Sequence, residues 1–252
     1  MTGTDDLGTS VPVPRPARRV VSLVPSLTEA LAATRPDALV GATDWCTHPA
    51  DLDAVRVRGT KNPDRAAIAA LEPDLVVANR EENRELDVRR LRDAGVPVWV
   101  TDIRTVDDAF ASMRRLLVDA LGWDVPAWLE QAERTWAAPP PPSGPRVVVP
   151  VWRDPWMAVG PDTFTGDVLR RLGAVNVLDD AEGRYPHVEL ADLDRDGVDL
   201  VLLPDEPYVF TADDGPEAFV RVPTRLVSGR LLTWYGPSLV HARDALAEVL
   251  RA

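Results

Sequence analysis

The sequence predicts an α/β protein of two lobes, each with a central, mainly parallel sheet, joined by a single connecting helix. Three observations carry that prediction. Short apolar runs alternate with helical segments over residues 18–104. An amphipathic rhythm then takes over at 105–138, and after a proline-rich boundary at 139–145 the alternation restarts and fills 146–252. Strands that alternate with helices bury themselves as a parallel sheet.

Residues 1–17 are polar and dotted with Pro12, Pro14 and Pro16; they read as a loose arm. Residues 19–24 (RVVSLV) form a buried strand stopped by Pro25, and Ser26 or Thr28 caps a helix through residue 33. Further strands are expected at 38–41, 74–79 and 96–101, with helices at 64–71 and 83–94. From Thr105, Val106, Ala109, Phe110, Met113, Leu116 and Leu117 recur at helical spacing. Thr105 with Asp108 resembles a capping box. A second helix over 125–137 is the candidate connector, and the prolines at 139–142 stop it rigidly. The second lobe then reads as strand 146–151, helix 164–172, strands 198–203 and 223–227, and a closing helix over 237–250.

Composition excludes several classes. Forty acidic against 28 basic residues give a net charge of −12, which argues against binding nucleic acid through a basic surface. Lys61 is the single lysine among those 28. A hydrophobic content of 45% excludes a wholly disordered chain. One cysteine, Cys46, excludes an internal disulfide framework and a multi-cysteine zinc site. The first residues show no basic and apolar leader pattern, so the chain as written reads as cytoplasmic; a trimmed leader would make it periplasmic or otherwise extracytoplasmic.

The aromatic side chains are the most informative local feature. Trp45, Trp152, Trp156, Tyr185, Tyr208, Trp234 and Tyr235 sit at strand ends or in Pro/Gly-rich loops. Together they suit the flat walls of a site for a large, partly apolar ligand; singly, each also suits a lid on a small core. Arg80-Glu81-Glu82-Asn83 is the sharpest polar cluster. Its carboxylates suit acid–base work or ligand hydrogen bonds, while Asn83 equally suits a helix cap. Asp205, Glu206 and Tyr208 echo that cluster after the matching strand of the second half, and Lys61 and Arg153 stand in neighbouring loops. Carboxyl ends of strands are where open α/β sheets place ligands. Cys46 and His48 lack a second ligand pair for a structural metal, leaving His48 as a candidate axial ligand to a metal already held in a chelate. No nucleophile elbow, P-loop or dinucleotide fingerprint is present.

Several stretches carry a resemblance that covers nearly all of residues 18–251. RVVSLVPSLTEAL, VGATDWCTHP, GTKNPD, IAALEPDLVVAN, GVPVWVT and the later WMAVG and TFTGDVLRRLGAVNVL resemble the helical-backbone class of ABC-transporter substrate-binding proteins. Within it they are similar to the vitamin B12 (cobalamin)-binding branch and its helical backbone metal receptor subgroup. The resemblance implies a ligand in the cleft between lobes, either a corrinoid, haem or a ferric siderophore, with no intrinsic cofactor and no catalysis. It implies that Trp45 is the first lobe's ligand-facing aromatic and that Tyr185 serves the second lobe. It also implies a monomer that delivers ligand to an ABC permease. The positions matching the two permease-docking glutamates hold Ala66 and Ala191, with Asp64, Glu189 or Asp192 as neighbouring acids. The alternative reading is a cytoplasmic enzyme or metal-handling protein on the same fold, working through its cleft carboxylates.

Overall fold

The computed structural model describes residues 2–251. Its chain opens not as a loose arm but as a hairpin of strands β1 (Thr2–Thr4) and β2 (Ser10–Pro12), paired antiparallel. Two carboxylates pin it. Asp5 closes the turn by accepting from Thr9 N at 2.7 Å and also accepts from Arg92 Nη2 at 2.8 Å. Asp6 accepts from Arg115 Nη2 at 2.7 Å and from Asp102 N at 3.1 Å. Gly3 lets the hairpin lie on the fully buried Trp99, whose ring would come within 3.0 Å of a Cβ at that position.

The first sheet is built from β3 (Val20–Ser22), β4 (Leu39–Ala42), β5 (Val55–Arg56), β8 (Leu75–Asn79) and β9 (Val98–Thr101). Between them lie α1 (Pro25–Thr34), a small hairpin of β6 (Arg58–Gly59) and β7 (Asn62–Pro63), α2 (Arg65–Ala70) and α3 (Glu85–Asp93). All strands of the sheet run parallel in the order β5-β4-β3-β8-β9. Their near-continuous Val/Leu/Ala content follows from burial on both faces. Val21, Leu23, Val76, Val98, Ile68 and Leu91 form the core between sheet and helices, each worth about 1.5–3 kcal/mol when fully buried. α1 starts on Pro25 with Val24 as its cap residue, and neither Ser26 nor Thr28 caps it. The Thr28 hydroxyl instead donates back to Val24 O at 2.9 Å. After β9 comes α4 (Val106–Arg114), whose last turns widen into a π-helix over Arg115–Ala120, and then α5 (Ala127–Trp136).

The second sheet comprises β10 (Arg146–Val148), β13 (Val175–Asn176), β14 (Leu200–Pro204) and β15 (Thr224–Val227), parallel in the order β13-β10-β14-β15. The run at 146–151 is not one strand. Pairing in the sheet stops at Val148, and β11 (Pro150–Trp152) pairs antiparallel with β12 (Met157–Ala158) in a separate hairpin. Around the sheet stand α6 (Phe164–Arg171), α7 (Leu190–Leu193), α8 (Gly229–Thr233) and α9 (Leu239–Arg251). Its core includes Val148, Val201, Leu203, Phe210 and Phe219.

The chain divides into two compact units. The first holds residues up to Ile103, Asp107–Glu130 and Tyr235–Pro237; the second holds Arg104–Val106, Gln131–Trp234 and Ser238 onward. The division falls inside α5.

Candidate functional site

In the first unit, strand order reverses at β3: β4 and β5 lie to one side, β8 and β9 to the other. Such a reversal opens a gap at the carboxyl ends of the two strands that flank it. Asn83 fills the gap between β3 and β8. Its Oδ1 accepts from Asn79 N at 2.9 Å, and its Nδ2 donates to Leu23 O at 3.2 Å and Thr60 O at 3.0 Å. It therefore ties together the ends of both strands and the β6–β7 turn. It does not cap α3, whose cap residue is Arg84. Asn79 mirrors it: Oδ1 accepts from Glu81 N and Glu82 N at 2.9 and 3.3 Å, and Nδ2 donates to Thr101 Oγ1 at 3.0 Å.

This scaffold fixes the acidic turn. Lys61, at the tip of the β6–β7 turn, donates from Nζ to Glu81 O. Burial pushes the Glu82 carboxyl above its ordinary range; Lys61 opposes that and Glu81 adds to it. Arg80 turns away to pair with Asp102 at 2.9 Å. Trp45, in the loop after β4, is 67% exposed, and its indole nitrogen lies over Gly59, where a Cβ would come within 3.4 Å. The base of its loop is held by Arg56, which donates to Thr43 O at 2.9 Å and Cys46 O at 2.8 Å. Cys46 is buried with its Sγ 2.9 Å from Thr28 Oγ1 and 3.1 Å from Thr43 Oγ1; burial pushes its thiol up, against those two contacts. It is packing, not a ligand. His48 is half-buried with Nδ1 3.2 Å from Thr47 Oγ1. Among the described residues, no group of three or more His, Cys, Asp or Glu could hold a metal ion.

The second unit repeats the device. Its strand order reverses at β10, with β13 on one side and β14 on the other, and β14 runs into Asp205-Glu206-Pro207-Tyr208. Asp205 Oδ1 accepts from Gly229 N at 2.7 Å, and Glu206 packs so closely on Gly229 that a Cβ there would lie 2.4 Å from its Cγ. The β11–β12 hairpin brings Trp152 edge-on to Tyr208, with ring centroids 5.6 Å apart. Trp152 is 45% exposed. Trp156 stacks on Phe210 at 6.1 Å and meets Phe219 at 5.6 Å, so it belongs to the margin of the core. Arg153 lies 5.6 Å from the Trp156 ring and pairs with Asp214 and Glu217. Those partners hold the Arg153 charge, and the hydrogen bond from Arg153 draws the Glu217 carboxyl below its ordinary range. Asp214 also accepts the Tyr208 hydroxyl at 2.7 Å.

Local geometry thus joins Lys61 to the turn at 80–83, with Trp45 beside the same hairpin, in one unit. It joins Trp152, Arg153, Trp156 and Tyr208 in the other. Tyr185 stands on a separate loop, 38% exposed, anchored by Gly160 N to Arg184 O at 2.8 Å. Trp234 and Tyr235 are 5% and 7% exposed and present little surface to a ligand. Asn79, Arg56, Asp214 and Glu217 were not singled out by sequence; Asp214 and Glu217 lie more than 60 residues from Arg153, with no local pattern to mark them.

These two parallel sheets with covering helices are the fold of the periplasmic binding proteins. The periplasmic vitamin B12-binding protein BtuF of Vibrio cholerae superposes with a TM-score of 0.73 at 19% identity, covering 94% of this chain and 97% of that one. The periplasmic haem-binding protein BhuT, solved in complex with two haems, gives 0.70 at 24% identity over 92% and 97%. In sequence, the chain is 24% identical over 251 residues to the vitamin B12-binding protein of Pectobacterium carotovorum, spanning 93% of this chain and 89% of that protein. No protein-family model matches the chain.

Proposed function

We propose that the protein is a non-enzymatic solute receptor of the substrate-binding type. Its ligand is a corrinoid or another metal chelate, which it delivers to an ABC importer. The observation that carries this reading is the repeated device at the two strand reversals. Each is an acidic loop locked by its own hydrogen bonds, with an exposed tryptophan on a neighbouring loop. Such preorganised, flat-sided surfaces suit a large planar ligand and offer no nucleophile paired with a base. Trp45 and Trp152 supply the stacking faces, and Glu81, Glu82 and Tyr208 the polar contacts. Trp156 packs on Phe210 and Phe219 at the core margin, and Trp234 and Tyr235 are buried, so these three serve the fold.

Importer partnership is part of the proposal, through contacts other than a pair of docking glutamates. Ala66 and Ala191 stand at those positions, and Asp64 is occupied in capping α2, accepting from Ala67 N at 3.0 Å. A receptor of this kind works outside the membrane it serves, and fractionation of host cells reads that directly.

The decisive experiment titrates the protein with cobalamin, cobinamide and haem while following tryptophan fluorescence. Quenching at micromolar ligand is expected for one of them, with W45A and W152A each weakening binding by roughly tenfold, the order of one aromatic contact. No quenching by any of the three overturns the chelate reading.

A further inference from the structure

One face of the first unit is charged against the sign of the whole chain. A pocket of about 590 Å³ beside the β6–β7 hairpin, α2 and α3 is lined by Arg58, Lys61, Arg65, Arg84 and Arg90, in a protein whose net charge is −12. The two carboxylates in its wall are already engaged. Asp64 caps α2 and lies 3.5 Å from Arg58, and Asp87 pairs with Arg65. The side chains of Arg84 and Arg90 make no hydrogen bond or ion pair with another described residue. Leu86, 42% exposed, stands in the same wall.

We propose that this pocket is a docking surface for an acidic segment of a partner protein, with carboxylates on Arg84 and Arg90 and an apolar side chain against Leu86. Guanidinium forks match carboxylates in a bidentate manner. The cations here are solvated, and an exposed ion pair contributes little by itself. A lone small anion is therefore poorly held, whereas several carboxylates on one chain bind together. Leu86 adds contact for a peptide and none for a free phosphate. The surface stands independently of the chelate reading.

The test is fluorescence anisotropy of a labelled peptide of Glu-Glu-Leu repeats with the full chain. Micromolar binding is expected at about 50 mM salt, falling roughly tenfold by about 300 mM as screening shortens the reach of the charges. The double variant R84E/R90E abolishes it while melting as the parent does. Should that variant not fold, R84Q and R90Q singly carry the comparison, each weakening binding by about threefold. Equal binding of the peptide to R84E/R90E, or equal binding of a Lys-Lys-Leu peptide to the parent, overturns the proposal. Tighter, equally variant-sensitive binding of inorganic polyphosphate overturns it in favour of a phosphate-bearing ligand.

Discussion

At the scale of single residues, Glu82 and Asn83 divide the labour of one turn. Asn83 is buried and spends its amide on three backbone partners, while Glu82 next to it carries a carboxyl that burial holds above its ordinary value of 4.5. The folded chain therefore binds the Glu82 proton more tightly than the unfolded chain does. Ionising Glu82 costs stability; the cost is absent below 4.5 and fully developed once pH exceeds the raised folded value. E82Q is accordingly expected to melt above the parent at neutral pH, with the advantage shrinking to nothing in acid. Thermal denaturation across that range checks it, and a gain independent of pH would point to another cause.

Elements are held by carboxylates that close distant loops, and these contacts also mark where sequence reading stops. Asp194, at the end of α7, is buried at some cost to its charge, yet the N–H groups of Val220, Val222 and Arg221 outweigh that cost and draw its pKa down. D194A should cost about 1.5–3 kcal/mol, as expected for lost hydrogen bonds to a charged acceptor, measurable as a lower urea midpoint. Its parent's share of that stability is present above 3.8, the ordinary aspartate value, and is lost as pH falls through the depressed folded one. The strands were legible from apolar runs such as LVVAN and LVLLP because burial on both faces leaves a continuous signature. The N-terminal hairpin was not. Its anchor, Asp6, finds Arg115 at a separation of 109 residues, and polar residues with prolines look alike whether pinned or free. The break after Val148 was hidden too, because RVVVPV stays apolar across the change of partner. At the site, the type and place of Trp45, Lys61 and the 80–83 turn could be read locally. The burial of Trp234 and Tyr235, and the pairing of Arg153 with Asp214, depend on long-range packing.

At the scale of the whole molecule, the chain returns to the first unit late, for Tyr235–Pro237 alone. Gly236 belongs there because a Cβ would come within 3.0 Å of Ser26 O in α1. The first unit is thus incomplete without residues contributed after α8, and its stability is tied to that late segment. A bound chelate stabilises only the folded chain, so ligand at about a hundredfold its Kd should add about 2.7 kcal/mol. For a chain of this size that raises Tm by about 5–10 °C, read by differential scanning fluorimetry with the ligand that quenches. No shift with a ligand that quenches would mean that the quenching is not site binding.

The contact between Lys61 and the Glu81 carbonyl has a practical side. With arginine filling every other basic position, the chain carries one side-chain amine, and it sits on the acidic turn. Amine-selective reagents will mark that turn and the chain's own α-amino group, while the sole thiol lies buried. Lys61 thus offers the one side-chain attachment point for an amine-reactive dye or cross-linker in this sequence, beside the surface whose occupancy one would most want to watch.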